Sequence, residues 1–359
     1  MKVMGVFDEM LKSGESLFMD PVALDYDYLP KLIPYREKEQ RQVALCIKPL
    51  FGNRNGKNVL VHGAPGIGKT AAIKHIFREL EDKTDDIIPI YINTWQKNTT
   101  YQIVVEICDQ LNYKFTHNKK TEELFAIVQK DLNKKSVVFC FDEIDKVEDL
   151  DFLYMILEKL YRKTIILVTN YKIWAVNLDE RIKSRLNLES LEFQKYNSSE
   201  LKGILHERLK YAFVPNVWDT AALEMAVRKT AVVGDVRTGL YILREAGNNA
   251  ENRSSRKIEI DDVKHAISSI SEIKIKKTTE LKDEEQMVLK LIKDNSGKKI
   301  GDLFNIYKEQ GGEGVYKTFQ RKIEFLSKNK FISTKKQLGG NEGTTTLVNY
   351  ERETKLDEY

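Results

Sequence analysis

A chain of 359 residues, 42% hydrophobic and 31% charged, carries enough apolar side chain for two or three compact cores, and no run approaches the length that spans a bilayer. The formal net charge of +4 is too small to identify a polyanionic partner by itself, and Met1 to Met10 lack the basic-then-apolar order of a secretion signal. Cys46, Cys108 and Cys140 stand far apart with no paired spacing, so free thiols in a reducing cytosol are expected.

From about Tyr35 to Phe193 short apolar runs alternate with amphipathic stretches, the pattern of a parallel sheet flanked by helices. Strands are predicted at Asn58–His62, Ile87–Ile92, Ser136–Phe141, Thr164–Thr169 and Leu188–Phe193, with helices beginning near Lys69, Thr100, Thr121 and Leu150. Between the first strand and the helix at Lys69 lies Gly63-Ala64-Pro65-Gly66-Ile67-Gly68-Lys69-Thr70, a full match to G-x-x-x-x-G-K-[ST]. Glycines let backbone N–H groups turn onto phosphate oxygens, and the helix N-terminus adds its positive dipole end. Lys69 is then expected to reach the β- and γ-phosphates, and the Thr70 hydroxyl to ligate Mg²⁺.

The third predicted strand runs into two acids, Asp142 and Glu143. Asp142 suits the Mg²⁺ shell, and Glu143 suits a general base for the attacking water. No Asn-Lys-x-Asp follows in place, which excludes most GTPases. Ile166-Leu167-Val168-Thr169 ends in Asn170, a candidate for orienting water or touching the γ-phosphate. In Leu178–Leu186, Arg185 is the first candidate for a finger into a neighbouring subunit's nucleotide and Arg181 the second.

From Ser198 to Ile270 only helical spacing is present, with helices expected from Ser198, at Thr220–Thr230, Val236–Ala250 and Asp261–Ile270. Gly234-Asp235-Val236-Arg237 opens the third, where Arg237 is a candidate for reaching over to the phosphates. Polar Ser271–Glu280 reads as a linker. Helices at Asp283–Asp294, Lys299–Glu309 and Tyr316–Asn329 are predicted next, then a hairpin pairing Phe331–Lys336 with Thr344–Asn349 across Gly339–Gly343, the order of a winged helix. Between Gly314 and Gly340 seven basic residues face the single acid Glu324. In the third of these helices Phe319, Ile323 and Leu326 suit a core stripe. Lys317, Thr318, Gln320 and Arg321 are candidates for base edges or phosphates, and Lys335 and Lys336 for a minor groove or the backbone.

These motifs, in this order, resemble the archaeal origin-recognition initiators, relatives of the eukaryotic origin-recognition subunits and of the cell-division-cycle helicase loader. The resemblance rests on Tyr28-Leu29-Pro30, Tyr35-Arg36-Glu37, the phosphate loop, Tyr91-Ile92-Asn93-Thr94, Phe141-Asp142-Glu143-Ile144-Asp145, Asp179–Ser184, Gly234-Asp235-Val236-Arg237 and Gln320-Arg321-Lys322, and it covers nearly the whole chain. It implies an α/β fold: an AAA+ P-loop NTPase sheet over residues 1–195, a helical lid over 196–272, a C-terminal winged-helix DNA-binding domain over 273–350, and a frayed tail over 351–359. It implies an ATPase used as a switch, holding ATP or ADP with Mg²⁺, with Tyr35, Arg36 and Ala71 joining the loop residues in nucleotide binding. Expected partners are double-stranded origin DNA, the replicative helicase, and another copy or paralogue on DNA. A helical insertion near Asn98–Asn112 is expected to touch DNA too. The expected place is the cytoplasm, at the nucleoid. Alternatives of other classes are an AAA+ motor or clamp loader, such as a branch-migration helicase, and a signalling or defence ATPase whose winged helix binds protein.

Overall fold

The computed structural model describes residues 16–279, 283–312, 314–328, 331–339 and 343–350. Contacts divide the chain between Ile267 and Ser268 into two compact units. The first is built on strands β1 (Val59–His62), β2 (Ile87–Asn93), β3 (Ser136–Asp142), β4 (Lys163–Thr169) and β5 (Glu189–Glu192). All pair in parallel, in the order β2-β3-β4-β1-β5.

A parallel sheet must be covered on both faces, and β3, with every residue buried, shows how the sequence manages it. Val137, Phe139 and Phe141 join a core with Ile90, Ile92, Ile165 and Leu167, roofed by helices α3 (Thr100–Gln110), α4 (Thr121–Leu132), α5 (Asp151–Lys159) and α6 (Glu180–Leu186). Val138 and Cys140 face the other way, into a core closed by α1 (Glu37–Ile47) and α2 (Lys69–Lys83). Buried Cys140 is thus a small core residue, and all three cysteines are free and buried. Helix α1 was not among the predicted elements. The fifth strand is one residue shorter at each end than Leu188–Phe193, although the Phe193 amide still donates to the His62 carbonyl at 2.8 Å.

Helices α7 (Ser198–Ala212), α8 (Thr220–Val233) and α9 (Val236–Asn252) form a bundle, with α10 (Ile260–Thr279) following. Sequence set their starts. Asn197 caps α7, its side chain accepting from the Glu200 amide while Glu200 returns a bond to the Asn197 amide; Asp219 and Asp235 cap α8 and α9. Each cap of this kind is worth about 1 kcal/mol. Two expectations need correction. Ser271–Glu280 was read as a linker, but α10 continues through Thr279: no proline or glycine interrupts it, and its charged residues are adequate helix formers. The chain from Ser16 to Tyr28, assigned to the sheet domain, packs on the bundle instead. Met19 N–H donates to Ala212 C=O at 2.8 Å, the Phe18 and Phe213 rings lie 4.6 Å apart, and Arg208 donates to Ala23 C=O at 3.1 Å and Tyr28 C=O at 3.3 Å.

The second unit contains α11 (Asp283–Asp294), β6 (Lys298–Lys299), α12 (Ile300–Glu309), α13 (Tyr316–Lys328), β7 (Ile332–Gly339) and β8 (Gly343–Tyr350). Its sheet is antiparallel in the order β6-β8-β7, with Ser333 opposite Asn349 and Lys335 opposite Leu347. Phe319, Ile323 and Leu326 enter its core with Val288, Ile292, Leu303 and Val348, as the helical stripe required. The predicted hairpin is therefore present and longer than expected, and the two-residue β6 was missed. Its tip at residues 340–342, the tail from Glu351 to Tyr359, and the side chains of Lys328 and Lys336 lie outside the described residues. Among those described, no helix is long and apolar enough to cross a membrane.

Candidate nucleotide site

Strand order assembles the site. β3, β4 and β1 are neighbours, so their C-terminal ends bring Asp142, Asn170 and the loop Gly63–Thr70 together at one edge, where open parallel sheets bind ligands. There the first unit has a cavity of about 960 Å³, at the upper end of ordinary ligand pockets. Its walls include Pro65, Gly66, Gly68, Lys69, Thr70 and Ala71 from the loop, Tyr91, Asp142, Glu143 and Asn170 from the strand ends, Tyr35 from the N-terminal segment, and Arg237 from α9.

Lys69 is only 7% exposed. Its ammonium donates to Gly63 C=O at 2.8 Å, Ala64 C=O at 2.7 Å and Asn170 Oδ1 at 2.9 Å. Burial pushes it down to about 8, against the pull of Asp142, and Arg237 lowers it further. Thr70 Oγ1 donates to Asp142 Oδ2 at 2.6 Å, and Tyr91 Oη donates to the same oxygen at 2.8 Å. Asp142 Oδ1 accepts the Glu143 amide at 2.9 Å. A hydroxyl and a carboxylate in contact are hard oxygen donors that fit Mg²⁺, which takes few protein ligands and completes its shell with phosphate and water. Among the described residues no cluster of three or more His, Cys, Asp or Glu is placed to hold a metal ion.

Glu143 follows at φ 59°, a left-handed turn that carries it out of the strand direction. Thr94 holds the turn, its hydroxyl within 2.9 Å of Asp142 C=O and 2.7 Å of Glu143 C=O. Partial burial, then the charges of Asp142 and Asp145, raise the Glu143 carboxyl above its ordinary range, so it is a better proton acceptor than a surface glutamate.

Several predicted residues fall elsewhere. Arg36 is a correction: it is 3% exposed and absent from the cavity wall. Its Nε and Nη2 donate to Ile67 C=O at 3.1 and 3.0 Å, Nη2 also to Gln194 C=O at 2.6 Å, and Nη1 to Glu39 at 2.8 Å. With its face 3.9 Å from the Tyr196 ring centroid, Arg36 braces the loop from behind. Gly63, Ala64 and Ile67 also do not line the cavity. The first two give carbonyls to Lys69, and the Ile67 side chain is buried in the core beneath the loop. Arg185 lies in a separate recess with Lys57, Asn58, Lys163 and Asn187, its guanidinium 4.9 Å from the Tyr154 ring centroid and 4.0 Å from Glu158. Arg181, exposed in the first turn of α6, does not line the cavity either. Sequence reasoning gave no role to Tyr91, Thr94 or Asp235. Tyr91 packs on the core beneath α2, with the Lys74 ammonium 4.7 Å from its ring centroid.

On the second unit Lys317, Thr318, Arg321 and Lys335 are exposed and Gln320 is half-buried.

Comparison with known proteins gives a consistent picture. Residues 53–176 match a model described as an AAA domain, and residues 202–268 one described as the Cdc6 AAA+ ATPase-type lid domain. The chain is 31% identical to ORC1-type DNA replication protein 1 of Sulfolobus acidocaldarius, covering 87% of this chain and 83% of that one. It is 27% identical to ORC1-type DNA replication protein 2 of Methanosarcina acetivorans, covering 98% of each. The structure of the Aeropyrum pernix ORC1 protein in complex with DNA superposes with a TM-score of 0.72 at 26% identity, covering 94% of this chain and 95% of that one.

Proposed function

The chain belongs to the family of ORC1-type DNA replication proteins, and from that premise we propose a nucleotide-switched replication initiator whose first unit binds and slowly hydrolyses ATP while its second grips double-stranded origin DNA. It is an AAA+ ATPase. The observation that carries the nucleotide half is the meeting of Lys69, Thr70, Asp142 and Asn170 at one cavity.

In this reading the backbone N–H groups of the loop and the Lys69 ammonium take the β- and γ-phosphates. Thr70 and Asp142 would hold Mg²⁺, which would supply positive charge to offset that of the phosphates. Asn170, already hydrogen-bonded to Lys69, orients the γ-phosphate or the attacking water. Glu143 takes the proton of that water as its oxygen bonds to the γ-phosphorus; the bond to the bridging oxygen breaks, and ADP and phosphate leave. Arg237 meets the outer phosphates from the lid, which ties lid position to the nucleotide bound. The finger role of Arg185, or of Arg181, requires a second copy or a paralogue, since neither side chain lines this chain's own cavity.

The DNA half is supported by the exposed Lys317, Thr318, Arg321 and Lys335 on α13 and β7, and by the family relative solved with DNA. Lys336 and a contact from the α3 region extend this reading from sequence alone. Recruitment of a replicative helicase at the nucleoid completes it.

The test is a nuclease footprint on genomic DNA of the source organism with ATP-loaded Glu143→Gln protein. That variant is expected to hold ATP while hydrolysing it roughly a hundredfold more slowly or worse. A discrete protected site is the expected result. Diffuse protection at low salt, with wild-type turnover strongly stimulated by any duplex, overturns the initiator reading in favour of a motor.

A further inference from the structure

The lid touches the phosphate loop directly at the start of α9. The Val236 amide donates to the Gly66 carbonyl at 3.1 Å. Beside that bond the Asp235 carboxylate lies against the face of Gly66 where a side chain would stand; a Cβ there would overlap it, and Gly66 at φ 70° is in the left-handed region that favours glycine. Asp235 Oδ1 also accepts the Arg237 amide at 2.8 Å, the cap that fixes the first turn of the helix. One carboxylate therefore rests on the loop and holds the backbone of Arg237. The Arg237 side chain lines the cavity, and its charge is felt by both Lys69 and Glu143.

We propose that Asp235 is a positioning residue of the ATPase site: by seating the first turn of α9 on Gly66, it sets where Arg237 meets the phosphates. A loop that moves to wrap a nucleotide carries the turn with it, because the Gly66 carbonyl and the Asp235 seat are part of the loop's own backbone surface. The bare face of Gly66 is what admits this contact. The proposal rests on the reading of Arg237 as a phosphate contact, and the experiment separates the two.

Single-turnover cleavage of Mg·ATP is measured for the full chain as wild type, Asp235→Ala, Asp235→Asn, Arg237→Ala and Asp235→Ala/Arg237→Ala, with ADP affinity measured in parallel. Asp235→Ala is expected to slow cleavage about tenfold while changing ADP affinity less than about threefold, a split that a merely loosened lid would not give. Asparagine caps a helix as well as aspartate does, so Asp235→Asn should return the rate to within about threefold of wild type. In the Arg237→Ala background, removing Asp235 should cost less than about twofold, since residues acting as one unit are not additive. An equal cost in both backgrounds, or no loss in Asp235→Ala, overturns the proposal. If Arg237→Ala cleaves at the wild-type rate, the reading of Arg237 falls instead. Should the alanine variant fail to fold, a tenfold loss in well-folded Asp235→Asn with unchanged Arg237 dependence overturns the seat equally.

Discussion

Burial strips water from the Lys69 ammonium, and three oxygen acceptors, two from the loop and one from Asn170 just past β4, replace it. Asp142 is treated likewise, with Thr70, Tyr91 and the Glu143 amide donating to its two oxygens. Groups so fixed need little reorganisation when charge arrives, which is how preorganised sites act. His62, 4% exposed on β1, is shifted in the same sense as Lys69. Burial, then the nearby lysines, lower its protonation range below the ordinary histidine value despite the pull of Glu192, while a ring nitrogen lies 2.9 Å from Ser190 Oγ. With its folded value below its unfolded one, the unfolded chain binds more protons in the interval, so stability falls as pH drops below about 6.5. His62→Gln should reduce the loss of melting temperature between pH 7.5 and pH 5, measured calorimetrically; an unchanged loss assigns the acid sensitivity to other groups.

Elements decide which faces meet. The crossover from β4 back to the start of β5 is made by α6, so Arg181 begins and Arg185 ends a helix that leads away from the nucleotide edge. In the second unit α13 divides cleanly: Phe319, Ile323 and Leu326 are buried, and Lys317, Thr318 and Arg321 are exposed. The antiparallel register places Lys335 on a strand beside Leu347 rather than in a loop. Replacing Arg321 and Lys335 together with alanine should weaken duplex binding without destabilising this unit. The slope of log affinity against log salt should flatten by about 0.9 for each phosphate contact removed. Fluorescence titration at several ionic strengths reads it directly, and an unaltered slope removes both residues from the DNA surface.

For the whole molecule, the ligand cavity belongs to the first unit and the cationic helix and hairpin to the second. A ligand that binds only folded protein stabilises what it binds by RT ln(1 + [L]/Kd), about 2.7 kcal/mol at a hundredfold excess over Kd. ADP at that excess should therefore raise the melting transition of the first unit. Replacement of Lys69 by methionine should abolish the rise while leaving the ligand-free transition folded. A calorimetric trace that ADP does not shift would deny the cavity its nucleotide. The N-terminal segment adds a second tie within this unit, since it packs on the bundle as far as Tyr28 and reaches the phosphate loop through Arg36.

Local chemistry made much of this legible. The loop Gly63–Thr70 and the pair Asp142–Glu143 are contiguous motifs, and they fell at strand ends as read. The helix expected from Ser198 starts there, although its cap is Asn197, one residue earlier, and the stripe Phe319–Leu326 found its core, because each depends on residues within a turn or two of one another. Arg36 could not be read this way: the resemblance implies a nucleotide-binding residue, and its donors are spent on Ile67, Gln194 and Glu39. Ser16–Tyr28 and Asp235 are alike in this, since each meets partners far along the chain. Sequence by itself determined the strand ends, the chemistry they carry and the basic helix, which short-range pattern encodes. Which strands lie side by side, which arginine faces the cavity and what rests on Gly66 were decided by tertiary packing, because hydrogen-bond donors and apolar faces find their partners only when the chain has closed on itself.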